Sequence, residues 1–357
     1  MQKKIFMIHI KKVAFYLFFI SFLVLCFCKC KPEFSTNADS EPFPVVYGLL
    51  NVLDGVHYVK IYKSFLVDGN AYDAVKDIDK YSYKDSIDVY LNEYNDTNKP
   101  PIRKIKMNTA TSIPKDSGLF LYPLQILYTA NAILNVNYRY EIEIINPYTK
   151  TIARVKEPIA MARAVTIGKP SGTELTITDR SISFEFYSGE GINRYQLLLK
   201  FYYTEDLNVG TSRQPNPIVW EIGSLVDLSG SAGVEKSITV PSGSIFFQKI
   251  SENIQNNDGV KRRHTDSIVL EVHSAGKDWG LYIQSNLPSS GINQDRLHYS
   301  NIIAYNMETN EPKYATGVFS SRSVTSKKYK DLVLVNGSRD SLFNGRFTGH
   351  LLFTDNY

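Results

Sequence analysis

Cysteine is almost missing from this chain, and the little there is sits in one place. Of 357 residues only Cys26, Cys28 and Cys30 carry a thiol. A disulfide framework needs cysteines spread through the fold, so none is available beyond residue 30. Long hydrophobic runs are missing too. The longest, Val13 to Cys28, has 16 residues. As a helix it would reach roughly 24 Å, short of the roughly 30 Å of a bilayer core. Nor is there an excess of one charge. The formal net charge of +4 includes Lys3, Lys4, Lys11 and Lys12 ahead of that run. Without them the chain is close to neutral, which excludes nucleic acid, or any acidic polymer held by charge alone, as a partner.

Catalytic signatures are equally scarce. There is no Gly-x-Ser-x-Gly elbow and no phosphate-cradling glycine loop, so no cofactor is expected. His57, His264, His273, His298 and His350 are isolated, whereas a metal hydrolase needs histidines paired at helical spacing with a carboxylate nearby. Asp68, Asp73, Asp77 and Asp79 crowd one segment and could supply oxygen ligands, but their spacing matches no calcium loop, and a solvated acidic loop is the better reading. No metal site is assigned. Carboxylate pairs for glycoside hydrolysis meet only in the fold, and nothing in the sequence singles one out. The expectation is a protein that is not an enzyme.

What is present begins at the N-terminus. Four lysines followed by a short apolar run have the form of an export signal over residues 1–29 rather than a spanning helix. Acylation of a cysteine at the new N-terminus explains why the thiols cluster there. The cleaving peptidase prefers a small residue before that cysteine, and Leu25, Phe27 and Lys29 all depart from the preference. Cys30 ends the run and is followed by the polar exit Lys31-Pro32-Glu33, so it is the favoured lipid site, with Cys28 the alternative. One acyl chain holds only marginally at about 0.8 kcal/mol per buried methylene, whereas two or three anchor firmly.

Residues 30–44 are polar and Pro-containing and read as a tether. Past them the chain is long for a single core, so two domains are expected, 45–160 and 161–357. Apolar residues make up 43% of the composition, enough for a packed interior. The 24 tyrosines and 19 phenylalanines suit strands and cores before they suggest sugar-stacking surfaces. In the first domain Val45 to Leu50, His57 to Lys63, Ser86 to Tyr94 and Ile102 to Met107 have strand patterns, with Asp68 to Lys84 a polar loop between them. Tyr138 to Lys156 reads as a hairpin turning at Asn146-Pro147-Tyr148-Thr149. Leu134, six residues before Tyr140, resembles the corner at which immunoglobulin-like sandwiches enter a late strand, the Tyr hydroxyl satisfying nearby backbone.

The second domain opens with the alternation in Ile182, Phe184 and Phe186. It continues with Tyr195 to Tyr203, whose apolar run suggests burial on both faces. One helix is predicted from Ser244, a candidate cap, with Phe246, Phe247, Ile250 and Ile254 on one face. Ser267 to His273 reads as a strand, Trp279 to Ile283 as strand or helix, and Leu332 to Val335 and Arg346 to Phe353 as short strands. The fold class expected is all-β, two consecutive immunoglobulin- or fibronectin-like sandwiches with one short helix in the second.

Several blocks taken together resemble a family of Bacteroidota outer-membrane lipoproteins known only as a domain of unknown function (forty-two forty-nine). They are Cys30, Glu33-Phe34, Val45 to Leu50 and His57 to Ile61 near the start. Near the other end they are Asn286-Leu287-Pro288-Ser289, Gln294-Asp295-Arg296, Tyr299-Ser300-Asn301-Ile302 and Thr316 to Arg322. The likeness spans most of the chain after the signal, and its pieces come in the family's order. It implies an outer-membrane lipoprotein whose gene often lies beside that of a TonB-dependent transporter. Lys31 and Glu33 resemble the charged signal that sends such proteins to the cell surface. Nutrient capture, or gating for that transporter, is the function expected. An adhesive or structural envelope module is the alternative, and a glycan hydrolase comes behind both.

Overall fold

The computed structural model describes residues 41–67, 70–227, 229–255, 258–287, 298–334 and 337–355. Residues 1–29, where an export signal is expected, and all three cysteines lie outside them. Among the described residues the protein is all-β, with five short helices. The first strands are β1 (Pro44–Leu50), β2 (Val56–Lys63), β3 (Asp88–Tyr94), β4 (Arg103–Ala110), β5 (Leu127–Asn131), β6 (Arg139–Asn146), β7 (Thr151–Val155), β8 (Ile159–Ala160) and β9 (Thr166–Lys169). Then come β10 (Ile182–Tyr187), β11 (Ile192–Leu207), β12 (Ser212–Arg213), β13 (Ile218–Val226), β14 (Glu235–Val240), β15 (Val260–Gly276), β16 (Ile302–Asn306), β17 (Pro312–Lys313) and β18 (Thr316–Tyr329). The helices are α1 (Ala71–Ala74), α2 (Ile78–Tyr81), α3 (Ser244–Asn253), α4 (Lys277–Asn286) and α5 (Ser338–Phe343). No helix among the described residues is long and apolar enough to cross a membrane.

One hydrogen-bonded path runs β12-β11-β15-β18-β1-β2-β5-β4-β3-β6-β7-β16-β17, and β9, β10 and β14 make a separate small sheet. The pivot of the path is a parallel pairing in which β1 lies along β18 from Val45 opposite Thr316 to Leu50 opposite Ser321. The sheets are open and layer as a sandwich around two hydrophobic cores. In the first, Val46, Leu50, Val59 and Ile61 pack with Leu91, Tyr140, Ile142 and Ile144. In the second, Phe184 and Phe186 pack with the inward residues of β11 and β15 and with Phe246, Phe247 and Ile250 of α3. The two cores part in sequence between Met161 and Ala162, except that Ile302, Ala304 and Phe319 return to the first. Each fully buried Leu, Ile or Phe contributes about 1.5–3 kcal/mol, so period-two alternation is enough to fix which face turns inward.

Several local expectations change on contact with tertiary structure. Between Tyr195 and Tyr203 on β11 only Tyr195, Leu197, Leu199, Phe201 and Tyr203 are buried, and Leu198, Lys200 and Tyr202 are half-exposed. The second face stays wet because Lys200 there donates to Glu271 Oε1 at 2.8 Å. Helix α3 forms as read, but Gly243 occupies its cap, and Ser242 Oγ rather than Ser244 accepts an end N–H, that of Ser244 at 3.2 Å. Trp279 to Ile283 falls inside α4. The two C-terminal alternations are not strands: α5 and turns fill the region, leaving single bridges from Leu332 to Leu175 and from Phe353 to Arg263. The acidic segment Asp68–Lys84 holds α1 and α2, so more than one helix is present.

The corner at Tyr140 is formed. Asn135 N donates to Tyr140 Oη at 2.7 Å, and the hydroxyl donates to Glu93 Oε1 at 3.1 Å. The β6–β7 hairpin turns where expected, with Asn146 Oδ1 accepting from Tyr148 N at 3.0 Å.

Candidate functional site

Strand β18 arrives beside the segment that leaves β7, and a row of small polar residues makes this crossing possible. Gly317 has φ +122, and a Cβ there would lie 2.0 Å from Val46 O, so only glycine lets β18 lie this close to β1. Asn301 then acts as a piece of strand. Its Nδ2 donates to Phe319 O at 2.8 Å and its Oδ1 accepts from Phe319 N at 3.0 Å. Ser321 Oγ accepts from Ala162 N and donates to Ala160 O, both at 2.8 Å. Ser323 Oγ donates to Arg163 O at 3.0 Å. These buried hydroxyls satisfy a connecting segment whose backbone would otherwise be stranded.

Above this floor opens a crevice of about 480 Å³. Ile159 and Leu281 give it apolar patches, and Asn301, Ser320 and Gly276 lie at its base. A Cβ on Gly276 would stand 3.1 Å from Ser320 Oγ, so the glycine lets α4 start against β18. Ser320 Oγ accepts the end N–H of Trp279 at 3.3 Å. The first turn of α4 brings Lys277 and Asp278 to the rim, facing Arg139, Lys156 and Glu157.

Tyr299 Oη donates to Asp278 Oδ1 at 2.5 Å. Burial, and then that bond, push the phenol well above its ordinary value, so it remains a donor across the physiological range. Asp278 is thereby engaged. Arg139 spends one N–H on Pro158 O at 3.2 Å. Lys156 and Lys277 stand exposed at the rim. With the partly positive end of α4 among them, the balance of the crevice is cationic. It suits a polar ligand carrying an acidic group, with Leu281 and Ile159 available to an apolar portion.

The residues singled out in the sequence divide. Tyr299 and Ser300 face the crevice, whereas Asn301 and Ser321 are fastened to backbone. Gln294-Asp295-Arg296 and Pro288-Ser289 lie outside the described residues, as do Cys26, Cys28 and Cys30. His57 is buried with Nε2 2.9 Å from Ala132 O, His273 pairs with Glu271 at 2.7 Å, and His264 sits further along the same strand β15. Asp77 caps α2 by accepting from Asp79 N at 3.0 Å, Asp79 pairs with Lys84, and Asp68 is outside the described residues. No group of three or more His, Cys, Asp or Glu among the described residues is placed to hold a metal. Arg139, Lys156, Glu157, Lys277 and Asp278 were invisible as a set, because they come from three separate stretches and carry no local pattern. No protein-family model matches the chain, and no curated protein matches it.

Proposed function

We propose that this chain is a lipoprotein of the outer membrane, acylated on Cys30 and facing the cell surface, that captures a nutrient or gates one for a TonB-dependent transporter. Cys28 is the alternative lipid site. The observation that carries the reading is the order of basic residues, short apolar run and clustered cysteines ahead of a β-sandwich fold. The crevice beneath Tyr299 supplies a place for a ligand. Its walls come from the regions of both cores, which supports a capture site at the meeting of two sandwich domains, 45–160 and 161–357.

The anchor is tested by labelling cells with an alkynyl palmitate. Cys30→Ala should abolish labelling and release the protein from membranes. Labelling lost only in Cys28→Ala moves the site, and labelling kept in both variants rejects the anchor. Protease added to intact cells should degrade the chain, and full protection would turn it to the periplasm. Mild detergent extraction should bring down an outer-membrane barrel with it. Consistent absence of one favours the adhesive or structural alternative.

Glycoside hydrolysis draws on a different observation, that Glu157 and Asp278 line the same crevice. Under that reading Asp278→Asn abolishes turnover of nitrophenyl glycosides by the purified protein. No turnover by the parent protein sets the hydrolase aside.

A further inference from the structure

The strands at the start of the fold share one end. Parallel pairing puts the first residues of β1 and β18 side by side, Val45 opposite Thr316, and the antiparallel neighbour β2 finishes there, Lys63 opposite Pro44. The segment between β4 and β5 lies at the same end, since Ala110 and Leu127 face each other where β4 stops and β5 starts. It is tied down by Leu121 N donating to Val75 O at 3.0 Å and by Phe120 against Tyr81 at 5.1 Å.

This end carries large apolar side chains in water. Tyr314 is 75% exposed, Tyr72 64%, Tyr122 57%, Leu119 55% and Leu124 41%. Phe43, the residue before β1, packs on Tyr314 with ring centroids 5.1 Å apart. Exposed apolar residues scattered singly need no explanation, but a set that mixes Tyr and Leu at one end has the composition of a membrane interface.

The chain outside the described residues says what covers it. Residues 1–40 precede this end and contain the apolar run and the cysteines. We infer that the end of the sandwich bearing Leu119, Tyr122, Leu124 and Tyr314 rests on the bilayer surface, inserting these side chains among the headgroups. The inference depends on the lipoprotein reading above and adds the face that meets the lipid. Even fully extended, the stretch from Cys30 to Phe43 spans no more than about 45 Å, so an acyl anchor at Cys30 keeps this end near the bilayer. Such confinement raises the local concentration of bilayer surface into the range where even a weak interfacial contact is occupied. Lysines and aspartates alternate around the set, as Lys76, Asp77, Asp79, Lys80, Lys115 and Asp116, so insertion rather than charge drives the contact.

The far ends of the same strands provide a control. Ile133, just past β5, is 84% exposed and lies a strand length away. Leu119→Cys, Tyr314→Cys and Ile133→Cys are made in the acylated full chain, in which the acylated cysteine does not react. Each is labelled with the environment-sensitive fluorophore NBD and reconstituted with phosphatidylethanolamine–phosphatidylglycerol vesicles, and flotation is scored on the same samples. The expected result is flotation of all three, with blue-shifted emission and quenching by brominated acyl chains at 119 and 314 but not at 133. Flotation with water-like labels at 119 and 314, or with equal quenching at 133, overturns the contact and leaves the anchor standing. Loss of flotation in all three removes the anchor, and the contact with it. The shifts should be the same in vesicles of phosphatidylethanolamine and phosphatidylcholine without anionic lipid. A contact that vanishes there overturns insertion as its driving force.

Discussion

The Tyr140 hydroxyl accepts the backbone N–H of Asn135 at 2.7 Å and so closes the corner from which β6 leaves. The residue is fully buried, and Tyr140→Phe removes the hydroxyl that Asn135 N and the buried Glu93 carboxylate share, at a cost of about 1–3 kcal/mol. Burial, offset in part by the corner's own hydrogen bond and reinforced by nearby Glu93, pushes the phenol up to about 12. A raised folded value gives stability that is complete below the ordinary tyrosine value of 10.0 and is lost as pH climbs from there toward 12. Urea midpoints should therefore fall in the Phe variant at neutral pH, and the variant should show a shallower alkaline decline.

Tyr299 offers the contrasting case. It is half-buried and its hydroxyl meets a carboxylate at the crevice rim, where water can replace it. Tyr299→Phe should cost about 1 kcal/mol or less while weakening ligand capture. A Tyr299→Phe midpoint lower than that of Tyr140→Phe would contradict the assignment of one residue to structure and the other to the crevice.

Arg263 is 1% exposed and donates to Glu205 Oε1 at 2.8 Å and to Leu351 O at 2.7 Å, fastening the C-terminal segment to β15. Removing it leaves buried Glu205 to Arg213 alone, whose Nε donates to Oε2 at 2.6 Å, and takes away the partner of Leu351 O, so Arg263→Ala should cost about 3 kcal/mol. Burial alone would raise the Glu205 carboxyl, yet hydrogen bonds from Arg263 and Arg213 hold it below its ordinary value of 4.5. A lowered folded value means the stabilisation is complete above 4.5 and drains away as pH falls below it. Urea midpoints should drop on acidification through that range, and Glu205→Gln should flatten the drop.

Gly317→Ala should be severely damaging, since both its positive φ and its contact with β1 forbid a side chain. A Cβ at that position meets Val46 O at 2.0 Å and Val46 N at 2.6 Å, backbone atoms that cannot rotate aside as a side chain could. Loss of soluble, protease-resistant protein is expected, while Tyr314→Ala, three residues earlier and exposed, should fold as the parent does. Parental urea midpoints in Gly317→Ala would show that the β1–β18 seam is looser than drawn.

Local signals carried much of this fold. The turn at Asn146, the alternation of β10 and the spacing of Leu134 and Tyr140 all act within a few residues of themselves, so one sequence suffices to read them. The seam between β1 and β18 joins residues some 270 apart, and no local pattern announces a partner at that distance. Arg263 lies in the run Lys261-Arg262-Arg263-His264, which looks like a solvated face. Only the alternation of β15, together with Glu205 waiting on β11, turns one of those arginines inward. The crevice was hidden for the same reason: Lys156, Lys277 and Tyr299 become neighbours through the crossing of β18 and not through their spacing.

That seam has a consequence for biogenesis. Strand β1 is among the first parts of the fold to leave the ribosome, and one of its two neighbours, β18, is among the last. Until β18 has been made, β1 presents an unsatisfied edge with Val46 and Leu50 beside it, a surface open to mispairing. Pairing over so long a separation is slow to form. A carrier that shields β1 until β18 arrives would then set the yield of folded protein, and a chain shortened at either end would open the same edge.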